Sequence, residues 1–229
     1  MLLLFALPLI GGGCIRKETT HTVYLDPEGG ATWTILEQEI RSDEDSTEGR
    51  EKEERKYMQS VRMGEHDGVL ALDRLGAEWV DWRVLRDERP YMVFVEGRFA
   101  ALDLAIQSFF DELSAPAASP VYADVQQEGD CARLVISCDF ELLDQLENSE
   151  QAGSEDDETE VLLSLVGDVH RVVLTEGRFT EATGFELNDD GTAARLLERS
   201  REEIEAAAQT DEYGNLVVYS LAWSIPKGR

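Results

Sequence analysis

Cysteine is scarce in this chain. Three residues, Cys14, Cys131 and Cys138, occur in 229. Histidine is equally sparse and scattered, at His21, His66 and His170, and no CxxC occurs. That excludes the common zinc frameworks, and no metal ligand set is assigned. Basic residues are few: 21 Lys and Arg face 48 Asp and Glu, a formal net charge of −27. A chain this acidic lacks the cations that neutralise phosphates, so nucleic acid is excluded as a partner. Adhesion to anionic headgroups by charge alone is disfavoured for the same reason. The charge reads first as solubility and self-repulsion, and second as an acidic surface for a basic partner. No apolar run reaches the ~20 residues of a spanning helix. The phosphate-cradling patterns GxxxxGK[ST] and GxGxxG are absent, and so is the GxSxG nucleophile elbow. Asn188-Asp189-Asp190-Gly191 has the look of a calcium loop, but position twelve would be Leu197 where a bidentate carboxylate is required, so it reads as a turn. No catalytic residue and no cofactor is assigned.

What is present describes a globular chain, 42% apolar and 30% charged. His21–Asp26 and Ala31–Ile40 flank Pro27-Glu28-Gly29-Gly30, a strong turn signal, and predict a hairpin. Ser42 or Asp43 is expected to cap a charged helix running to Met63. Gly68–Leu75 reads as a short helix, and Glu78–Arg86 and Tyr91–Phe99 as strands. Ala101–Leu113 is amphipathic, with Leu102, Ala105, Ile106, Phe109 and Leu113 on one face. Val121–Gln127 and Cys131–Phe140 predict a second hairpin. Seven residues of strand span ~23 Å, so Cys131 and Cys138 are expected to stay unbridged. An acidic loop is expected near 147–158, and a short helix at Thr159–Val166. Arg171–Thr175, Arg178–Leu187 and Thr192–Leu197 read as a meander. A serine-capped helix follows at Ser200–Gln209. Val217, Tyr219, Leu221, Trp223 and Ile225 form one apolar face of a central strand. FVEGRF (94–99) and LTEGRF (174–179) read as glycine sites in or beside strands, not as a repeat. The fold class is α+β: a largely antiparallel sheet built from hairpins, with helices packed on one face.

The segment Met1–Ile10 (MLLLFALPLI) has the length of a signal-peptide apolar region, and Gly11–Gly13 the small residues of a cleavage site. Gly13-Cys14 then resembles the bacterial lipoprotein signal, in which the cysteine carries diacylglycerol and an N-acyl chain. The pattern departs from that signal in having no Lys or Arg ahead of the apolar run and Gly11 where Leu is usual. The resemblance implies a signal peptide at 1–13, a lipidated tether at 14–20 and one α+β domain at 21–229. Ile15 after the cysteine, where Asp marks inner-membrane retention, implies the periplasmic side of the outer membrane. The layout from the N-terminal hairpin through Trp79–Leu113 to the terminal Trp-bearing strand is similar to that of LppM-like lipoproteins of actinobacteria. Their folded part is α+β and is thought to contact lipid.

These observations favour a non-catalytic envelope lipoprotein, anchored at Cys14, that holds a protein partner or a lipid-like ligand at the membrane. Trp79 and Trp82, three apart on a strand, face opposite sides, so one of them is a candidate contact surface. One rival is a hydrolase using carboxylates, which would need converging acids with strongly displaced pKa values. Another is a structural lipoprotein without a ligand. An apolar pocket of ~300 Å³ or more between sheet and helices would favour a ligand over that last reading.

Overall fold

The computed structural model describes residues 15–114, 118–142, 169–212 and 214–225. The signal segment 1–13, Cys14, the acidic loop near 147–158 and the helix expected at 159–166 lie outside them. Strands β1 (Ile15–Leu25) and β2 (Ala31–Ser42) form the first hairpin, followed by helices α1 (Thr47–Met63) and α2 (Asp67–Arg74). Then come β3 (Trp79–Arg86), β4 (Tyr91–Phe99) and α3 (Leu102–Ser114). The hairpin β5 (Val121–Glu128) and β6 (Cys131–Cys138) is next. The last part holds β7 (Val169–Leu174), β8 (Phe179–Thr183), β9 (Phe185–Leu187), β10 (Ala193–Leu196), α4 (Arg201–Ala207), β11 (Gln209–Thr210) and β12 (Leu216–Ser224).

The chain is α+β, with two sheets where the sequence reading expects one. Seven strands run in the order β3-β4-β2-β1-β7-β10-β9; five form the second sheet, β11-β12-β6-β5 with β8 also on β12. The strand pairs of the described residues are antiparallel except β1 with β7, which run parallel. One face of the large sheet is covered in two ways. Over β2, β3 and β4, Met58 and Val61 of α1 and Leu72 of α2 pack on Ile35, Val93 and Val95. Over β1, β7 and β10, the second sheet takes the place of helices, and Leu134, Leu221 and Trp223 meet Leu25, Val172 and Leu174. Trp223 Nε1 donates to the carbonyl of Pro27 at 3.0 Å, which fastens the terminal strand to the first turn. Helix α3 covers the edge strand β5. Its Asp103 accepts from the backbone N–H of Val125 (3.2 Å) and its Gln107 from that of Ala123 (3.2 Å), so the edge does not present open donors there.

Several local expectations change. Residues 15–20, read as a tether, are strand: Ile15 pairs with Ser42 and Thr20 with Leu36. Because β2 continues to Ser42, α1 begins later and Ser46 is its cap, accepting from the N–H of Gly49. The predicted meander is divided between sheets. Gly184, at φ 75°, separates β8, which joins β12, from β9, which joins β10. A Cβ at that glycine would lie 2.1 Å from Tyr219 Cδ1, so the crossing needs both the left-handed backbone and the missing side chain. On β12 a bulge between Val217 and Tyr219 breaks the expected apolar face: Val217 pairs with Ser137 and Tyr219 with Ile136, on opposite sides of the sheet. The two EGRF segments differ in role. Gly97 lies inside β4 against Leu72, whereas Gly177 turns the chain between β7 and β8 at φ 93°. Ser200 closes a capping box with Glu203 on α4. Cys131 is exposed and Cys138 buried, at opposite ends of β6, and no disulfide joins them.

Candidate functional site

Where the two sheets splay apart, α3 closes one side and leaves an apolar cavity of about 160 Å³. The large sheet contributes His21, Val23, Trp33, His170 and Val172 to its wall. Helix α3 contributes Leu102, Ile106, Phe109 and Phe110, and the small sheet Leu134, Ile136, Val218 and Tyr219. Alternation places these side chains: His21 and Val23 share one face of β1, and the same parity on β7 brings His170 and Val172 to that face. An apolar cavity of this size stays dry and takes a benzene-sized group. It falls short of the ~300 Å³ set above as favouring a ligand over a purely structural role, and it admits one short apolar segment and not an entire lipid.

His21 brings a deeply buried polar group into this mostly apolar wall. His21 is 1% exposed, and its Nδ1 accepts from the Trp33 indole N–H at 3.1 Å. The His170 ring stacks on it with centroids 4.9 Å apart and an interplanar angle of 13°. Burial first, then the neighbouring His170, hold its pKa down at about 3, so the ring is neutral at physiological pH. Its Nε2 is buried and has no hydrogen-bond partner. The sequence reading treats the histidines as scattered; the parallel pairing of β1 with β7 sets His21 directly beside His170. A signal for this was present. His21-Thr-Val-Tyr-Leu25 and His170-Arg-Val-Val-Leu174 share a His-x-Val-x-Leu pattern, and the register matches them position for position.

Farther along the same face lies a buried polar cluster that the sequence reading misses. Glu37 is 2% exposed and accepts from Lys17 Nζ at 2.5 Å, from His66 Nε2 at 3.0 Å and from the Tyr57 hydroxyl. His66 is also the cap of α2, its Nδ1 accepting from the N–H of Gly68 at 3.1 Å. With Nδ1 an acceptor, the proton facing Glu37 is on Nε2. Burial pushes the Glu37 carboxyl up, but Lys17 and then His66 more than offset it and hold it well below the usual range. Burial and the adjacent Glu37 push the Tyr57 phenol far up. These groups satisfy one another and join β1, β2, α1 and α2 into one unit, which is a structural role.

The two tryptophans named from sequence part as alternation requires. Trp79 is 49% exposed on the outer face of the large sheet. Trp82 packs inward against the helix core, so close to Gly64 at the end of α1 that a Cβ there would lie 2.6 Å from its ring. Neither lines the cavity. Trp33 and Trp223 are core. Carboxylates gather in a polar groove of about 700 Å³ on the outer face of the small sheet, among them Asp124, Glu128 and Glu181, the last paired with Arg133. The carboxyls with displaced pKa values, Glu37, Asp190 and Glu203, lie elsewhere and all move down. A glycosidase general acid needs the opposite displacement.

The chain matches no family model and no curated protein. Among solved structures it is similar to the folded domain of Mycobacterium tuberculosis LppM, determined by NMR. The identity is 9% over 96% of this chain and 95% of that chain, with a TM-score of 0.39. This is a weak likeness of layout, and no property of that domain is carried over on its strength.

Proposed function

We propose that the chain is a non-catalytic envelope lipoprotein, anchored through an acylated Cys14, whose two-sheet domain takes an apolar group of a lipid-like ligand between its sheets. The observation behind the binding role is the apolar cavity walled by β1, β7, α3 and β6. Its modest volume limits the bound part to one short chain or ring. Support for the anchor is the Gly13-Cys14 pattern after an apolar run. Three acyl chains exceed what stable membrane attachment requires. Since β1 begins at Ile15, an anchor at Cys14 would hold the domain against the headgroups with almost no slack. Ile15 at the position after the cysteine supports the outer membrane.

Two experiments test this reading. Intact mass of the protein from its native membrane should show a mature N-terminus at Cys14 with a tri-acyl increment, and Cys14→Ser should leave the membrane fraction. Unchanged fractionation of that variant removes the anchor. Ethylbenzene titrated into the full chain should shift methyl NMR signals of Val23, Leu134 and Ile136 saturably. Ile106→Phe, which fills the space from α3, should abolish that response with the fold intact. No saturable shift in the wild type would leave a structural lipoprotein with a dry cavity.

A further inference from the structure

The chemistry of the ligand is narrowed by a single buried atom. An indole N–H only donates, so the bond from Trp33 makes His21 Nδ1 an acceptor. A neutral imidazole carries one proton, which this bond assigns to Nε2. Trp33 occupies one edge of the ring and His170 stacks on a face, at a centroid distance of 4.9 Å. The Nε2–H remains, buried and without a partner; among the described residues it is the side-chain atom left in that state. Buried polar groups in folded proteins almost always find a partner, so a lone donor on a residue that lines an apolar cavity points to the chemistry of what the cavity takes.

We propose that the group bound in the cavity carries an uncharged hydrogen-bond acceptor, a carbonyl or ether oxygen such as that of an acyl ester, placed to receive the His21 Nε2–H. This rests on the ligand-binding role proposed above. The chemistry selects against the alternatives. An ammonium has no acceptor, and a carboxylate would give up its hydration to an almost wholly apolar wall whose buried donor at His21 is neutral. A plain hydrocarbon would fill the space and leave the donor orphaned. Trp33 acts here as a positioning residue: by fixing the tautomer it makes the free edge of His21 a donor.

The test uses two probes of nearly equal shape, acetophenone and ethylbenzene, which differ in one carbonyl oxygen. In the wild-type chain the ratio of their affinities should favour acetophenone about tenfold more than in His21→Phe, the fold-change of one net hydrogen bond. Because that variant also removes the acceptor for Trp33, a second measurement leaves the protein unaltered. The Nε2–H proton of His21, followed by nitrogen-edited NMR, should move downfield on adding acetophenone and stay in place with ethylbenzene. Equal ratios in both chains, or an unmoved Nε2–H with acetophenone bound, would overturn the acceptor requirement while the cavity remains a binding site. An Nε2–H already exchanging with an ordered water that acetophenone fails to displace would overturn it as well. If neither probe binds, the binding role and this inference both fail.

Discussion

Lowering the pH from 7 to 5 probes the burial of His21. Desolvation, reinforced by the stacked His170, holds its pKa at about 3 in the fold, against 6.5 for a free imidazole. Below pH 6.5 the unfolded chain therefore binds a proton that the folded chain refuses. Stability rises with pH wherever the unfolded state holds more protons, so this group's contribution is intact above pH 6.5 and is lost as the pH falls from 6.5 to 3. One pH unit inside that window is worth ~1.4 kcal/mol. At pH 5, some 1.5 units below 6.5, the loss is about 2 kcal/mol, and near pH 3 it approaches roughly 5 kcal/mol. The assay is urea unfolding of the wild type and of His21→Phe at pH 7, 6 and 5. Phenylalanine keeps a ring against His170 but cannot accept the indole proton of Trp33, a loss of about 1–3 kcal/mol that does not vary with pH. The slope is the readout, because the many surface carboxylates titrate alike in both chains. The wild type should lose about 2 kcal/mol more than the variant between pH 7 and 5. Parallel curves would show that His21 takes up its proton inside the fold, and the buried neutral ring would be refuted.

Four further substitutions probe the frame of the fold. Glu37→Gln leaves the Lys17 ammonium facing an uncharged partner and should cost about 3 kcal/mol at pH 7 by urea unfolding. A carboxyl held well below its usual range contributes its full stability above about pH 4.5 and loses it progressively as the pH falls from there through its depressed folded value, so the wild type and this variant should draw together only in strong acid. Gly184→Ala combines a left-handed backbone with a clash on Tyr219, and a loss of about 2–4 kcal/mol in chemical denaturation is expected. Trp82→Ala should cost about 3 kcal/mol and Trp79→Ala less than about 1, a contrast that differential scanning fluorimetry would register as a larger fall in Tm for the inward ring. Equal losses would contradict the facing assigned to β3.

The elements were largely legible because each rests on a local signal. Proline and glycine mark the β1–β2 turn, and the 3, 4 spacing of Leu102, Ala105 and Phe109 marks α3. The alternation Ala132, Leu134, Ile136 fixes the buried face of β6, and Ser200 with Glu203 marks the start of α4. Errors fall where tertiary pairing decides. Ser42 is a respectable cap, yet its partner across the sheet, Ile15, keeps it in β2 and moves the helix start to Ser46. The Gly184 crossing looks like any strand glycine until Tyr219 is seen beneath it. The bulge at Val217 leaves no mark in composition, because Val217 and Tyr219 suit either face.

The candidate site was illegible for a deeper reason than any missed motif. Alternation tells which side chains share a face of a strand, but not which strand lies beside it or which sheet lies above it. The cavity needs both answers. His21 and His170 meet only because β1 and β7 pair in parallel across the long stretch between them, and the space above them exists because the second sheet, not a helix, covers this half of the face. Each participating residue therefore looks like ordinary core when taken alone. Trp33 packs with the helix cluster, Leu134 and Val172 with the inter-sheet cluster, and Val218 and Tyr219 with the third. The cavity sits where these three packings meet without closing. Natural cores keep few voids wider than a water molecule. A junction void could be mere packing failure. A void that also keeps a buried donor unpaired is harder to explain so, because one group carrying an acceptor would fill the space and satisfy the donor together. That pairing of an unfilled space with an unpaired N–H makes the junction a binding site to be tested before any other surface of the molecule.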